Sequence, residues 1–480
     1  QVKIYAPKLP TTKTDDIEAT IEYNDKDGNY FRKPVILNAQ GDSSLAFFVK
    51  NLAIDFNDGS EIKFGDFPTQ DSFHLKKYYI DNFRGRCIIG YWLMEQIYKS
   101  HPIGKQYPYE YLNTNESFTE GTGDFDRDYF VGSKCHPDGF PIVITWVNSK
   151  TLEETWIGIY TWNLKKSKEV YHCNKKNPNH IILDGQIGNG TIWGSIKWTY
   201  FEIRNPKSLK DIDGNKYDGD NPKELSETDE LSVRVKRNIE NLSSSISALK
   251  ENKTKETFEK YFLVEPMIDF VLLSQFIYNW DGFYKNWIWI TYDGQHWTPT
   301  AYDLDSTFGA WLNCMSVYKD VTDMLGEDFN IPTGYLQSLY TAEIQERYKE
   351  LRDSRIFSIE NITNLFQQWM NKIGGYYEKE FEKYPETPSY RSSRTNDGWE
   401  FVQFDWSNTP AYDDEKAYTI GETCQYGGSV FKATAAIKGK EPCELYQNFP
   451  RGGGMYDSLQ RVVNWMEKRI YELDNIYKYN

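Results

Sequence analysis

Residues 279–309 read NWDGFYKNWIWITYDGQHWTPTAYDLDSTFG. Acids stand at both ends of this stretch, Asp281 on one side and Asp303 and Asp305 on the other, with the amide Asn286 just ahead of the first apolar run. NWIWITY and HWTPTAY are rich in Trp, Ile, Thr and Tyr, the residues that suit a half-buried pleated surface. Asp293-Gly294 between them is a two-residue turn signal, so the stretch is expected to fold as a β-hairpin. With the turn centred there, position 286 faces about 301 and position 303 faces about 284. Asn286 and Asp303 then finish at one end of the hairpin, roughly 20 Å from the turn at ~3.3 Å per residue. Asp281 lies in the loop that feeds the first strand, and Asp305 follows one pleat after Asp303.

An acidic rim of this kind needs a reason. Like charges brought together repel, and burial raises the cost. A hard divalent cation such as Mg²⁺ or Ca²⁺ removes the penalty, because it takes oxygen ligands. A plainer reading also fits: Asp281 caps a turn and Asp-Leu-Asp is a solvated strand end.

Outward from the hairpin, the chain is long and contact-rich. Its 480 residues suggest about three domains at ~150 residues each, or one large domain with insertions. Aromatics are 16 % of the chain, with 36 Tyr and 15 Trp, which argues against disorder. A net charge of −15 with no basic stripe argues against nucleic-acid binding, although Mg²⁺ can still bridge an acidic surface to a nucleotide. No apolar run reaches the ~18 residues of a membrane span. No leader-like segment stands at Gln1, which says little about compartment. The six cysteines form no CxxC pair and the six histidines no HExxH, so zinc chemistry is not expected. Cys424 and Cys443 are close enough in sequence to pair in an oxidising setting, with buried free thiols as the other reading.

The first ~60 residues alternate apolar and polar, as antiparallel strands do. Residues 81–100 read as a helix, FPIVITWVN and TWIGIYTWNL as strands, and residues 226–249 as a helix with an acidic first turn. LVEPMIDFVLLSQFIYN, residues 263–279, is apolar nearly all round and belongs in a core. Further helices follow from about 335. A small β unit with Gly-Gly and Gly-Lys turns comes after about 386, and an amphipathic helix closes the chain.

The spacing Asp281-x-x-x-x-Asn286, a hairpin, and then Asp303 is the layout of a protein-kinase catalytic loop, although His-Arg and Phe-Gly are missing from their usual places. More closely, NWDGFYKNWIWI and YDLDSTFG resemble the spore-coat CotH kinase family, with its N-x-D-G/S loop and D-L-D-x-x-F-G strand end. QGDSS (40–44), VKNLAIDF (49–56), YYIDNFRGRCIIGYWLMEQIY (78–98), GIYTWNL (158–164) and NWMEKRIYELD (464–474) are similar to other family segments in the same order. The resemblance covers most of residues 1–385 and about 456–480. It implies an α+β, atypical protein-kinase-like two-lobe fold that transfers phosphate from ATP to Ser or Thr of a coat or surface protein. Residues 1–210 would form a β-rich nucleotide lobe with one long helix, and 211–385 a mainly helical lobe carrying the hairpin. Residues 386–455 would be an inserted β module, and 456–480 a closing helix. Asp281 would be the catalytic acid, and Asn286 and Asp303 would hold Mg²⁺ with Asp305 as a further acid. Lys50 would lie on a strand and reach the phosphates. Two positions depart from the family pattern: Gln40 stands where it has Arg, and Leu164 where it has Glu.

AYTIGETCQYGGSVFKA (417–433) resembles small carbohydrate-binding modules attached to chitinases, relatives of which also decorate phage tail proteins. It implies sugar stacking on exposed aromatics, with Tyr418, Tyr426, Phe431 and Tyr446 as candidates. Packing inside the module is the competing role for each. Three functions therefore compete: a Mg²⁺-dependent kinase, a degenerate structural or adhesive component of a virion, phage tail or cell surface that binds glycans or neighbouring subunits, and a metal-dependent hydrolase. The expected location is a spore coat, cell surface or virion in preference to free cytoplasm.

Overall fold

A computed structural model of the chain describes residues 1–41, 43–47, 49–102, 136–171, 173–185, 201–217, 222–283, 286–310, 331–390, 398–404, 409–426, 429–442, 446–450 and 458–479. The fold is mixed α and β. Its N-terminal part is a closed barrel of β1 (Val2–Ala6), β2 (Ile17–Asn24), β3 (Tyr30–Gln40), β4 (Asn51–Phe56), β5 (Ser72–Lys76), β6 (Gly139–Asn148) and β7 (Glu154–Leu164), in the order β1-β2-β3-β4-β5-β7-β6. Alternation places Val2, Ile4 and Ala6 of β1 and Ile17, Ala19, Ile21 and Tyr23 of β2 on the inner face. Tyr23, Phe31, Phe64, Phe73, Phe140 and Trp162 fill the interior with edge-on and stacked ring contacts. Antiparallel strands in this region were expected, but barrel closure was not. It depends on the parallel pairing of Val2–Ala6 with Ile144–Asn148, far away in sequence.

A second sheet has the order β11-β10-β8-β9, built from β8 (Ile181–Gly185), β9 (Phe201–Asn205), β10 (Trp287–Thr291) and β11 (Trp297–Ala301). It joins strands from either side of residue 210. The described helices are α1 (Arg86–Lys99), α2 (Glu230–Glu251), α3 (Lys255–Glu259), α4 (Val264–Ile277), α5 (Ile331–Leu339), α6 (Thr341–Asp353), α7 (Ile359–Ile373), α8 (Tyr376–Lys383) and α9 (Leu459–Tyr477); α4 packs on β11 of this sheet, whereas α7 and α8 pack on β6 and β7 of the barrel. Asp229, Thr254, Ser358 and Ser458 cap α2, α3, α7 and α9 by accepting a backbone N–H from the first turn. Helix α4 is buried from Pro266 to Ile277, as its all-round apolar sequence requires. The helix expected over 81–100 begins only at Arg86. Asp81 stays outside it and accepts from the amides of Phe83, Gly85 and Arg86. The barrel, the second sheet and the helices share one continuous apolar core.

The segment between α8 and α9 begins and ends in a two-stranded ribbon, β12 (Glu386–Tyr390) with β16 (Tyr446–Pro450). Beyond it, β13 (Trp399–Phe404), β14 (Thr423–Tyr426) and β15 (Ser429–Ala433) form a sheet around their own small core. Helix α9 then returns to the main body: Asp474 binds Arg352 and Tyr348 of α6, and Arg469 donates to the Gln275 carbonyl of α4.

Candidate active site

The site is assembled at the end of α4. Tyr278 ends that helix in the left-handed region, at φ 55°, and its successor Asn279 donates its amide to the Ser274 carbonyl at 2.8 Å. The chain then makes a 3-10 turn, Trp280–Phe283, which carries Asp281. The Asp281 side chain lies outside the described residues. Gly282 packs tightly here, since a Cβ at that position would lie 2.0 Å from Asn279 Nδ2.

Strands β10 and β11 follow as the sequence led us to expect, with Trp287 opposite Ala301 and Thr291 opposite Trp297. The turn corrects the expectation. Five residues, Tyr292 to His296, close the hairpin instead of Asp293-Gly294 alone. Asp293 organises them, its Oδ1 accepting from the amides of Gln295 and His296, while Gly294 takes φ 76° and donates to Thr291 Oγ1. The register consequently moves by one, and the Tyr302 amide donates to the Asn286 carbonyl at 3.1 Å, so that 286 faces 302. Asn286 still finishes beside Asp303 at the far rim.

Asp303 itself sits in the left-handed region, φ 56° and ψ 57°, at the start of a 3-10 turn, Leu304–Ser306, that includes Asp305. Asp and Asn tolerate this conformation better than other non-glycine residues, and such strain gathers at functional sites. Lys76 at the end of β5 approaches Asp303 Oδ1 at 4.0 Å. Behind it lies a cluster of charge. Asp184 of β8 pairs with Lys166 and, at 2.9 Å, with Arg204, which also reaches Glu202 at 2.6 Å. The Lys166 ammonium lies 4.2 Å over the Tyr302 ring, next to Asp303. Burial lowers the Lys166 pKa against the pull of Asp184. His74 is kept neutral by burial and by Lys165, Lys76, Lys166 and Arg204 around it.

Lys50 stands just ahead of β4, not on it, and its ammonium donates to the carbonyls of Leu45 and Phe47. The lysine at the acidic rim is Lys76. The sequence signal for it is a Lys-Lys pair, 76–77, inside an otherwise apolar run. Lys166, Asp184 and Arg204 escaped sequence reading because they converge from three separate segments. In the small β unit between α8 and α9, Tyr418 and Phe431 are 2 % and 1 % exposed and form its core with Trp399, so their faces are not open to a sugar. Tyr426 is half-buried against that core, and the Tyr446 side chain lies outside the described residues. Cys424 is a buried free thiol, and Cys443 lies outside the described residues.

For a divalent cation, Asn286, Asp303 and Asp305 offer oxygen donors only, the set that Mg²⁺ prefers. Among the described residues no three His, Cys, Asp or Glu side chains are grouped to enclose a metal ion. Mg²⁺ does not need such a cage, since it binds through one or two carboxylates and completes its shell with water and phosphate oxygens. No described helix is long and apolar enough to cross a membrane.

Fold and site define a mixed α and β protein in which a hairpin rim of oxygen donors is met by Lys76, beside a cluster of paired charges. A family model described as CotH kinase protein matches residues 157–408, just over half of the 480 residues. The chain belongs to the CotH kinase family. The match runs from within β7 through the hairpin and past β13. No curated protein matches the chain.

Proposed function

We propose that this chain is a two-lobed, kinase-like phosphotransferase. It moves the γ-phosphoryl group of ATP to a Ser or Thr hydroxyl of a coat or surface protein. The barrel serves as the nucleotide lobe and the helices around α4 as the second lobe. One observation carries the reading: Asp303, held in a left-handed turn at the hairpin rim, is met by Lys76 from the barrel with Lys166 and Arg204 behind. Acids suit a metal ion and cations suit phosphate oxygens, and the two are side by side here. Asn286 and Asp303 would hold Mg²⁺, with Asp305 as a further acid, and the ion would neutralise charge on the phosphates. Lys76 would take a phosphate oxygen. Asp281, on the turn after α4, would accept the proton of the attacking hydroxyl.

Incubation with [γ-³²P]ATP, Mg²⁺ and a Ser-rich acceptor protein tests this. The unmodified chain should label itself or the acceptor. Asp281→Ala and Asp303→Asn should each lower the rate by about 10³-fold or more, and Lys76→Met by about 10²-fold. No label from the unmodified chain would sink the reading. It would favour a relative that keeps the fold for binding or assembly, in a virion or at a cell surface. Gln40 and Leu164 support that second reading. Leu164 is an apolar core residue opposite Phe73, where the family resemblance calls for an acid. The buried Gln40 Oε1 has no hydrogen-bond partner. Release of inorganic phosphate without any acceptor would point to the hydrolase alternative.

A further inference from the structure

We propose that Tyr91 and Cys87 of α1 are positioning residues that hold the Asp303 turn in its left-handed geometry, an inference that rests on the phosphotransfer reading. The left-handed backbone at Asp303 sends two successive amides into the protein interior. The Asp303 N–H donates to Tyr91 Oη at 3.0 Å, and the Leu304 N–H donates to Cys87 Sγ at 3.2 Å. Residues 87 and 91 are four apart, so both acceptors project from one face of α1. Between them Gly90 leaves room for the turn, since a Cβ there would come within 2.7 Å of Leu304 Cδ1. One residue before Cys87, Arg86 donates to the Thr307 carbonyl at 2.9 Å. These four contacts fasten Asp303, Leu304 and Thr307 to a single helix.

The polar atoms behind the turn are a built unit. The Tyr78 and Tyr91 hydroxyls lie beside the Cys87 sulfur, and Asn163 Nδ2 donates to Tyr78 Oη at 2.7 Å. Tyr78, Cys87 and Tyr91 are all buried. An apolar helix face would pack here equally well but would leave both amides of the turn unpaired. The turn would then relax toward extended backbone and swing the Asp303 carboxylate away from Asn286 and Lys76. These residues act through Asp303 and touch no reacting atom.

The full-length chain and its Tyr91→Phe, Cys87→Ala, Cys87→Ser and Asp303→Asn variants would be compared by Mn²⁺ binding. Hydrogen-exchange mass spectrometry over residues 302–307 would be run alongside, with thermal melts to confirm folding. Tyr91→Phe and Cys87→Ala should each speed exchange over 302–307 and weaken Mn²⁺ binding by about 10-fold. Cys87→Ser should recover most of both. Unchanged exchange in folded Tyr91→Phe and Cys87→Ala would overturn the proposal. So would unchanged Mn²⁺ affinity in those variants when Asp303→Asn loses it. Should Asp303→Asn bind Mn²⁺ like the unmodified chain, the metal assignment under the phosphotransfer reading falls, and exchange alone then decides whether α1 holds the turn.

Discussion

Glu380 of α8 reaches into the barrel wall and meets two cations there, Lys77 at 2.7 Å and Arg84 at 3.0 Å, all three side chains fully buried. Its second oxygen accepts the Ile159 amide at 2.8 Å, and the Tyr160 and Tyr384 rings flank the Lys77 ammonium. Burial alone would push the carboxyl up, but Arg84, Lys77 and the Ile159 amide together hold it below its ordinary value. Glu380→Gln would leave two buried cations without a counter-charge and should cost about 3–5 kcal/mol, read by urea denaturation. A milder loss would mean that the pair relaxes into solvent. The histidines set the pH response. Burial lowers the His180 pKa to about 4, whereas the hydrogen bond that His296 donates to the Asp293 carboxylate raises the His296 pKa from its ordinary value. Unfolded His180 takes a proton below pH ~6.5 that the folded form refuses until about 4, so stability falls as pH drops through that window, by roughly 3 kcal/mol at its end. His74 adds to the same limb. The His296–Asp293 pair has the opposite sign: its contribution is complete below pH ~6.5 and is lost as pH rises through the raised His296 value. Melting temperatures from pH 4.5 to 8.5 should therefore fall on the acid side, and His180→Asn, which keeps an acceptor for the Asn174 amide, should flatten that limb. His296→Ala should remove the loss above neutrality. An acid limb unaffected by His180→Asn would contradict the assignment.

Elements that depend on neighbouring residues were legible in the sequence. The β10–β11 hairpin, the core helix α4 and the capped helices α2 and α9 all follow from local periodicity and end signals. Inside the hairpin, the strands were right and the turn was not. Asp293 folds a five-residue loop by accepting from its own backbone two and three positions on, a competition that the Asp-Gly signal does not reveal. The same limit applies to the helices expected from about 335, whose break at Tyr340, between α5 and α6, no local signal marked. The turn between α4 and β10 is where local geometry and the candidate chemistry meet. Gly282→Ala places a methyl against the buried Asn279 side chain, so that either this amide or the 3-10 turn that carries Asp281 has to move, and the prediction is that the turn does. The expected result is a small loss of stability, about 1–2 kcal/mol, with a fall in phosphoryl transfer of about 10²-fold, because a displacement near 1 Å at a reacting group costs that much. Equal transfer by Gly282→Ala and the unmodified chain would show that this turn does not set the position of a reacting group.

At the scale of the whole molecule, contacts distant in sequence decide the form, and these were the least legible. Barrel closure pairs residues 2–6 with 144–148, and the second sheet pairs β8 with β10 across more than a hundred residues. Neither pairing leaves a mark in local periodicity. The segment between α8 and α9 is different, because it packs around a core of its own. Its core of Trp399, Tyr418, Cys424, Phe431 and Ala433 is separate from the main core. The connecting ribbon holds Tyr390 directly opposite Tyr446, so the chain leaves the main body and returns at paired positions. Residues 391–445 can then be replaced by Asn-Gly, the turn that closes two antiparallel strands most readily. Helices α8 and α9 would keep their spacing, because the retained ribbon still fixes it. The shortened chain should melt within about 4 °C of the full one, a shift corresponding to less than ~1–2 kcal/mol for a body of this size. It should also retain phosphoryl transfer to itself. A chain that aggregates or melts far lower would show that the module completes the main core. One that folds normally but no longer labels a separate acceptor protein would assign the module to recognising that acceptor.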